Sequence, residues 1–189
     1  GVVTGVGSAV RDFHVGDEVY ARPRDLRIGT FAEYIAIDRD DVARKPASLT
    51  LHEAAAVPLV SLAAWQALVD RAHVQPGQKI LVHAGSGGLG STVIQLAKHL
   101  GATVATTARA ENTELVRSLG ADVVVRRGDD VAARIRELYP DGVDGLADGA
   151  VQGDVRARVV EEGAAAGAGF HVHHRPARRG VVELRVDQA

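Results

Sequence analysis

The 189-residue sequence contains no cysteine, and this absence narrows the chemistry open to the chain. Without thiols it cannot form disulfides, use a thiolate nucleophile or build a cysteine-ligated zinc site. An excess of charge of one sign is lacking too, because 22 basic and 24 acidic residues give a formal net charge of −2. Neither nucleic acid nor an anionic membrane is therefore favoured as a partner.

Long apolar runs are also missing. No uninterrupted run is long enough to span a bilayer, and residues 1–10 lack the charged-then-apolar layout of a signal peptide. A cytoplasmic location is the resulting expectation. Hydrophobic residues make up 46% of the chain, which is enough to build the core of one full domain and part of another.

The most informative stretch is Lys79–Gly90, KILVHAGSGGLG. Its apolar residues follow a Pro76-Gly77 turn without alternation, which is typical of a strand buried on both faces of a parallel sheet. Apolar residues beyond the glycines recur at helical spacing, and Gly101 follows where a left-handed C-cap is expected. The glycines are therefore predicted to join a strand to a helix.

The spacing of these glycines, G-x-G-x-x-G, predicts a dinucleotide-binding turn. Such a turn needs a tight bend, close backbone approach to a diphosphate, and close packing of helix on strand. A helix N-terminus binds a diphosphate through backbone N–H groups, without a basic side chain. A Gly-rich connector is the alternative, but the flanking strand and helix favour the cofactor. The predicted contacts are Gly85, Ser86, Gly87, Gly88, Leu89 and Gly90.

The order of predicted elements indicates an α/β fold. Residues 1–45 predict short strands and turns, and residues 48–73 a helical connection with apolar face Leu62, Trp65, Leu68 and Val69. Beyond Gly101 the predicted elements alternate, as in a doubly wound parallel sheet. They are strand 102–108, helix 111–119, strand 123–125, helix 131–139 and strand 143–146. Residues 155–179 fit no regular pattern, whereas residues 181–186 predict a strand.

Five motifs in sequence order carry a resemblance to a known family. They are FHVGDEVY (13–20), GTFAEYIAI (29–37), AAAVPLVSLAAWQAL (54–68), PGQKILVHAGSGGLGSTVIQLAKHLGA (76–102) and LVRSLGADVVV (115–125). Together they resemble the zinc-independent, quinone-oxidoreductase-like branch of the medium-chain dehydrogenase/reductase superfamily. The resemblance implies a partial GroES-like β-rich domain over residues 1–50 and a Rossmann NADP-binding domain over residues 51–189, with residues 155–179 atypical.

The resemblance also implies an activity. The expected reaction is hydride transfer from NADPH to a small-molecule quinone or activated enone, without zinc. The family's first strands would precede Gly1 and its returning segment would follow Ala189, so the chain is expected to be cut at both ends. Ala63 stands where relatives usually carry a threonine. Catalytic residues stay unassigned, because Tyr20 and Tyr34 fall in motifs that predict structural strands.

The end of the second Rossmann strand predicts which nucleotide is bound. An acidic residue there would hold the ribose 2′-hydroxyl of NADH, but the strand ends Thr106-Thr107-Ala108-Arg109 with no acid before Glu111. Thr107 can donate a hydrogen bond and Arg109 can pair with a 2′-phosphate, which favours NADP(H). Asn112 occupies the place where many relatives carry a lysine. A solvated surface charge is the alternative for Arg109, and the favoured one for Arg127.

Eight histidines raise the question of a metal. His171, His173 and His174 form an HxHH cluster in the segment without regular pattern, and chance composition explains them better than zinc does. His83 either contacts the cofactor or caps the turn. The short connection after Tyr20 leaves no room for the cysteine-rich lobe of zinc-dependent relatives, so no structural metal is expected.

Two other functions remain open at this stage. Enoyl reductases acting on acyl thioesters share the glycine turn and the GTFAEY-like strand. A truncated, non-catalytic nucleotide-binding fragment is the rival from another class, because missing strands would leave exposed sheet edges and an unfilled core. Exposed sheet edges favour association between chains, and a homodimer is therefore a possible form.

Overall fold

The computed structural model describes residues 1–24 and 30–148, together with the backbone of the strand at 181–185. Among the described residues, Gly1–Leu59 and the strand at 181–185 form one compact unit, and residues 60–148 form a second. The predicted boundary after residue 50 stays a prediction. The observed grouping differs from it, because residues 51–59 and the strand at 181–185 belong to the first unit.

The described strands and helices are named here in chain order. The strands are β1 (Val2–Val6), β2 (Val19–Ala21), β3 (Tyr34–Asp38), β4 (Val42–Arg44), β5 (Lys79–His83), β6 (Thr103–Ala108), β7 (Val123–Arg126), β8 (Gly145–Asp148) and β9 (Val181–Arg185). The α-helices are α1 (Leu51–Ala55), α2 (Val57–Trp65), α3 (Gly88–His99), α4 (Thr113–Ser118) and α5 (Val131–Leu138).

The first unit is built on antiparallel strands. β9 lies between β1 and β3, and β2 pairs with β4. Alternate residues of β3 are buried, as expected for strands with one face on a core. The core of this unit consists of Val3, Val10, Phe13, Val19, Ile35, Ile37 and Val42. Near the end of the Gly1–Leu59 segment, α1 begins with the predicted capping box of Thr50 and Glu53.

The second unit contains a parallel sheet in the order β7-β6-β5-β8. β5 is buried on both sides. Ile80 and Val82 pack in the cluster that includes Ile94 of α3, whereas Leu81 packs with Ile135 of α5. Helices therefore cover both faces, which confirms the predicted α/β class with a doubly wound sheet.

Boundaries in the second unit follow the sequence pattern closely. Gly101 and Gly120 both adopt positive φ one residue beyond the ends of α3 and α4, after Leu100 and Leu119, as the predicted left-handed C-caps require. The helix predicted from residue 111 begins as a short 3₁₀ turn at Ala110–Asn112 before α4. β8 starts two residues later than predicted, at Gly145.

The predicted apolar face of the 48–73 connection is partly wrong. The helix buries Ala64, Ala67 and Leu68, while Leu62 and Trp65 remain about half exposed. The buried residues Ala64, Ala67 and Leu68 are spaced i, i+3, i+4, so one ordinary helical face of mostly small residues packs on the core. A π-helical segment, Gln66–Arg71, continues the helix. The segment 155–179 and its histidines lie outside the described residues.

Candidate functional site

The glycine turn, residues 84–90, connects β5 to α3 at the carboxyl end of the parallel sheet. The N–H of Gly85 donates to the carbonyl of Thr107 on β6 at 3.0 Å, and the N–H of Gly87 donates to Ala84 at 3.0 Å. Ser91 makes the first bond of the helical ladder, to the carbonyl of Gly87 at 2.8 Å. The turn is thus anchored to the neighbouring strand before the helix begins.

Two glycines are required by space inside the protein. A Cβ on Gly90 would lie 2.3 Å from the carbonyl oxygen of Ala84, and a Cβ on Gly85 would lie 2.0 Å from Oγ1 of Thr106. Real Cβ atoms do not approach other atoms this closely, so any other residue would push the helix away from the strand. These positions supply the tight bend and the helix–strand packing predicted from the spacing.

Gly87 and Gly88 have more open space where a side chain would begin. A Cβ on Gly87 would meet only the Ala84 carbonyl, at 3.3 Å, and one on Gly88 only Val60, at 3.7 Å. Gly87 caps α3 without any side-chain hydrogen bond. The amides of Gly88, Leu89 and Gly90 precede the first ladder bond and so have no intrahelical acceptor. This surface can admit an anion to backbone N–H groups.

The two threonines at the end of β6 hold the turn from opposite faces of the strand. Oγ1 of Thr106 donates to the carbonyl of Val82 at 2.8 Å and is fully buried. Oγ1 of Thr107 accepts the N–H of Ala84 at 3.0 Å and lies 3.2 Å from Nδ1 of His83. Both hydroxyls therefore have protein partners.

Ser86 and Asn112 connect the turn to the loop after β6. The Asn112 side-chain amide donates to Oγ of Ser86 at 3.1 Å. Asn112 is the last residue of the 3₁₀ turn that begins directly after Arg109. Residues predicted from separate motifs are thus joined by one hydrogen bond.

A second region, the arginine cleft, opens beside this loop. It has a volume of about 430 Å³ and is lined by Arg109, Ala110, Glu111, Arg126, Arg127 and Gly128. The Arg109 side chain is 64% exposed, and its contact with Glu111 is long, at 3.8 Å. The N–H of Arg127 donates to the carbonyl of Ala108 at 2.8 Å, which fixes the end of β7 beside the end of β6. Three guanidinium groups against one carboxylate favour an anionic ligand.

The structure brings most of the predicted site residues together, although direct contact with a cofactor stays a prediction for all of them. Gly85–Gly90 and Thr107 form and support the turn, Asn112 reaches Ser86, and Arg109 lines the cleft. Sequence reasoning missed Thr106, Ala84 and Arg126. A threonine pair inside an otherwise apolar strand was the available signal, since buried hydroxyls need partners.

Within 1–24 and 30–148, no group of three or more His, Cys, Asp or Glu side chains is placed to hold a metal ion. In the same part of the chain, no helix is both long and apolar enough to cross a bilayer. His83 borders the turn through Thr107, so both of its predicted roles stay open.

Comparison with known proteins gives one family match and many relatives. A family model described as "Zinc-binding dehydrogenase" matches residues 88–167. The chain is 43% identical over 171 residues, or 86% of its length, to an NADPH-dependent alkenal/one oxidoreductase, chloroplastic, of Arabidopsis thaliana. It covers 43% of that relative, so it spans less than half of the relative's length.

Solved structures agree with these relatives. An alcohol dehydrogenase superfamily protein from Novosphingobium aromaticivorans is 40% identical with a TM-score of 0.75, covering 78% of this chain and 46% of that one. The quinone oxidoreductase from Coxiella burnetii is 33% identical with a TM-score of 0.65, covering 78% of this chain and 46% of that one. The sequence and the fold therefore point to the same set of proteins.

Proposed function

Because the chain belongs to the quinone-oxidoreductase-like branch of the medium-chain dehydrogenase/reductase superfamily, we propose that it is an NADPH-dependent oxidoreductase. The acceptor class that we propose is a quinone or an activated enone. Two similar proteins, named as an alkenal/one oxidoreductase and a quinone oxidoreductase, support this choice. We also propose that the reaction needs no zinc.

The glycine turn is the observation that carries the proposal. Its residues fit a dinucleotide diphosphate, because Gly85 and Gly90 close the strand against the helix while Gly87 keeps the outer surface open. Backbone amides at the start of α3 supply hydrogen bonds and the positive end of the helix dipole. We propose Gly85, Ser86, Gly87, Gly88, Leu89 and Gly90 as the residues that surround the diphosphate.

The arginine cleft supports NADPH over NADH. Arg109 directly follows β6, where an NADH-binding chain would place an acid for the ribose 2′-hydroxyl. A 2′-phosphate there would meet the guanidinium of Arg109, that of Arg126 at the end of β7, and that of Arg127 directly after it. The lone carboxylate of Glu111 lies 3.8 Å from Arg109, too far for a strong hydrogen bond. Asn112 and Thr107, the other two residues predicted near the nucleotide, bond to the glycine turn through Ser86 and Ala84.

NADPH, when bound, supplies the hydride. The residues of this chain bind the diphosphate at the turn, orient the nucleotide through Arg109, and keep the turn attached to β6 through Thr107. The group that would donate a hydrogen bond to the developing oxyanion stays unassigned. A cytoplasmic location and a homodimer also remain proposals, and the name of the Arabidopsis relative carries the word chloroplastic.

A direct test measures binding first and turnover second. The purified chain is titrated with NADPH, followed by nucleotide fluorescence, and NADPH oxidation is then followed with a quinone, a short alkenal and an enoyl thioester. We expect saturable binding, with tighter binding of NADPH than of NADH, and oxidation by the quinone or the alkenal.

Each other result would support a different function for this chain. Oxidation only by the enoyl thioester would replace the proposed acceptor with an acyl chain. Binding without oxidation by any acceptor would favour a nucleotide-binding fragment without turnover. Absence of binding by folded protein would remove the nucleotide site altogether.

A further inference from the structure

Ala84 has a backbone conformation that the glycine pattern does not explain. Its φ is +55°, in the left-handed region that side chains other than glycine rarely adopt. The residue lies between the end of β5 and Gly85, so its conformation sets the direction in which the turn leaves the strand. Such a strained residue persists only where surrounding contacts hold it.

Thr107 makes the contacts that hold Ala84. Its Oγ1 accepts the Ala84 N–H at 3.0 Å, and its carbonyl accepts the next N–H of the turn, from Gly85, at 3.0 Å. Two consecutive amides of the turn are therefore bonded to one residue of β6. With only 6% of Thr107 exposed, water is a poor substitute for either bond.

The hydroxyl of Thr107 has little capacity left for a nucleotide. A threonine hydroxyl carries one proton and two acceptor lone pairs. One lone pair accepts from Ala84, and Nδ1 of His83 lies 3.2 Å from the same oxygen. With His83 protonated on Nε2, its Nδ1 accepts the Thr107 proton, and the three groups form a chain of hydrogen bonds from Ala84 to His83.

We propose that Thr107 is a positioning residue, which fixes Ala84 and thereby directs the amides of the glycine turn toward the diphosphate without contacting the nucleotide itself. This inference rests on the proposed nucleotide-binding function. It differs from the role predicted from sequence, in which Thr107 donates directly to the cofactor. The two roles predict different consequences when the hydroxyl is removed. A positioning role weakens binding of the diphosphate, whereas direct contact weakens binding of the 2′-phosphate.

Nucleotide selectivity distinguishes the two roles. We expect Thr107→Val to weaken NADP⁺ and NAD⁺ by the same factor, about fivefold, as for the loss of one hydrogen bond. The diphosphate is common to both nucleotides, so their affinity ratio should not change. Thr107→Ser keeps the hydroxyl and should restore both affinities. Arg109→Ala is the matched control, because it should change the ratio. A selective loss of NADP⁺ in Thr107→Val would overturn the proposal.

A second measurement needs no nucleotide. Hydrogen exchange of the Ala84 amide, resolved by NMR, should be faster in Thr107→Val than in the wild type and in Thr107→Ser, while the Val104 amide of β6 stays protected. Unchanged exchange at Ala84 would overturn the positioning role of Thr107 even if nucleotides bind. If the wild type binds neither nucleotide, the proposed function fails, but this experiment still decides the role of Thr107.

Folding of the variant is not a requirement for the test. Should Thr107→Val fail to fold, the wild-type chain provides the deciding measurement. An Ala84 amide that exchanges as slowly as the bonded amides of β6 supports the positioning role of Thr107. An Ala84 amide that exchanges at the rate of an open loop contradicts it.

Discussion

The glycine turn and the arginine cleft both lie at the carboxyl ends of neighbouring parallel strands, but they are built by different means. In the turn, Gly85 and Gly90 leave no space for a side chain, and the threonines of β6 are buried and bonded. In the cleft, Arg109 is largely exposed and its nearest carboxylate oxygen is 3.8 Å away. Packing constrains the first region, and charge defines the second.

This difference separates two properties that nucleotide binding combines. Backbone amides of the turn would decide whether a dinucleotide binds, because they contact the part that all such cofactors share. Exposed guanidinium groups of the cleft would decide which dinucleotide binds, through the 2′-phosphate. Salt should weaken only the second contribution strongly, since exposed charges are screened more than buried hydrogen bonds.

The largest expected effect breaks the turn itself. Gly90→Ala would place a Cβ 2.3 Å from the Ala84 carbonyl, so the helix must move from the strand. We expect a loss of about 2 kcal/mol or more in the free energy of unfolding, as for overpacked cores. Denaturant unfolding measures it.

Gly88→Ala is the matched control for this loss of stability. Its Cβ would meet only Val60, at an ordinary 3.7 Å, and Gly88 opens α3. An alanine there should leave stability unchanged or raise it by up to about 1 kcal/mol. Equal destabilisation by the two substitutions would contradict the packing account of Gly90.

The sequence was sufficient to predict the turn because its determinants are local. An unbroken apolar strand, three glycines at fixed spacing and a helical apolar repeat all lie between Lys79 and Gly101. The same holds for the C-cap at Gly120 and the capping box at Thr50. Each of these features depends on residues only a few positions apart.

Features that depend on distant partners could not be predicted. Thr107 contacts Ala84 from 23 positions away. The threonine pair of β6 indicates that buried hydroxyls need partners, but the sequence does not say which residues those partners are. The pairing of β9 with both β1 and β3 joins opposite ends of the chain. Arg127 is exposed, as expected, and its place beside Arg109 in the cleft arises only when β7 pairs with β6.

The second expected effect changes selectivity in the cleft. Arg109→Ala should weaken NADPH about tenfold, as for the loss of a charge-assisted hydrogen bond, and leave NADH affinity almost unchanged. Binding titrations with both nucleotides at low and high salt measure the effect. The preference of the wild type for NADPH should narrow as salt rises.

Arg117→Ala provides the control for this prediction. Arg117 carries the same charge on α4 but does not line the cleft. Its removal should leave the NADPH to NADH ratio unaltered. If Arg117→Ala lowers NADPH affinity as much as Arg109→Ala, a general positive field rather than a defined contact would explain the preference.

The smallest expected effect concerns the stability contributed by Asp122, which lies at the amino ends of the same strands, β6 and β7. Burial alone would raise the pKa of Asp122, but the Val104 N–H, which donates at 2.7 Å, and the Lys98 ammonium at 2.9 Å together lower it. Asp122→Asn keeps an oxygen for Val104 and removes the charge. We expect it to cost about 1 kcal/mol or less at neutral pH, because the ion pair is more than a third exposed.

The pH dependence of that cost follows from the sign of the shift. A carboxyl with a lowered folded pKa stabilises the protein fully above its ordinary pKa of 3.8, and this contribution is lost as pH falls through the lower folded value. Unfolding measured from neutral pH downward should therefore show wild type and Asp122→Asn converging in acid. In a Lys98→Gln background the substitution should cost less at neutral pH. A difference that persists unchanged in acid would mean that the amide disturbs packing and that the Asp122 charge itself does not stabilise the fold.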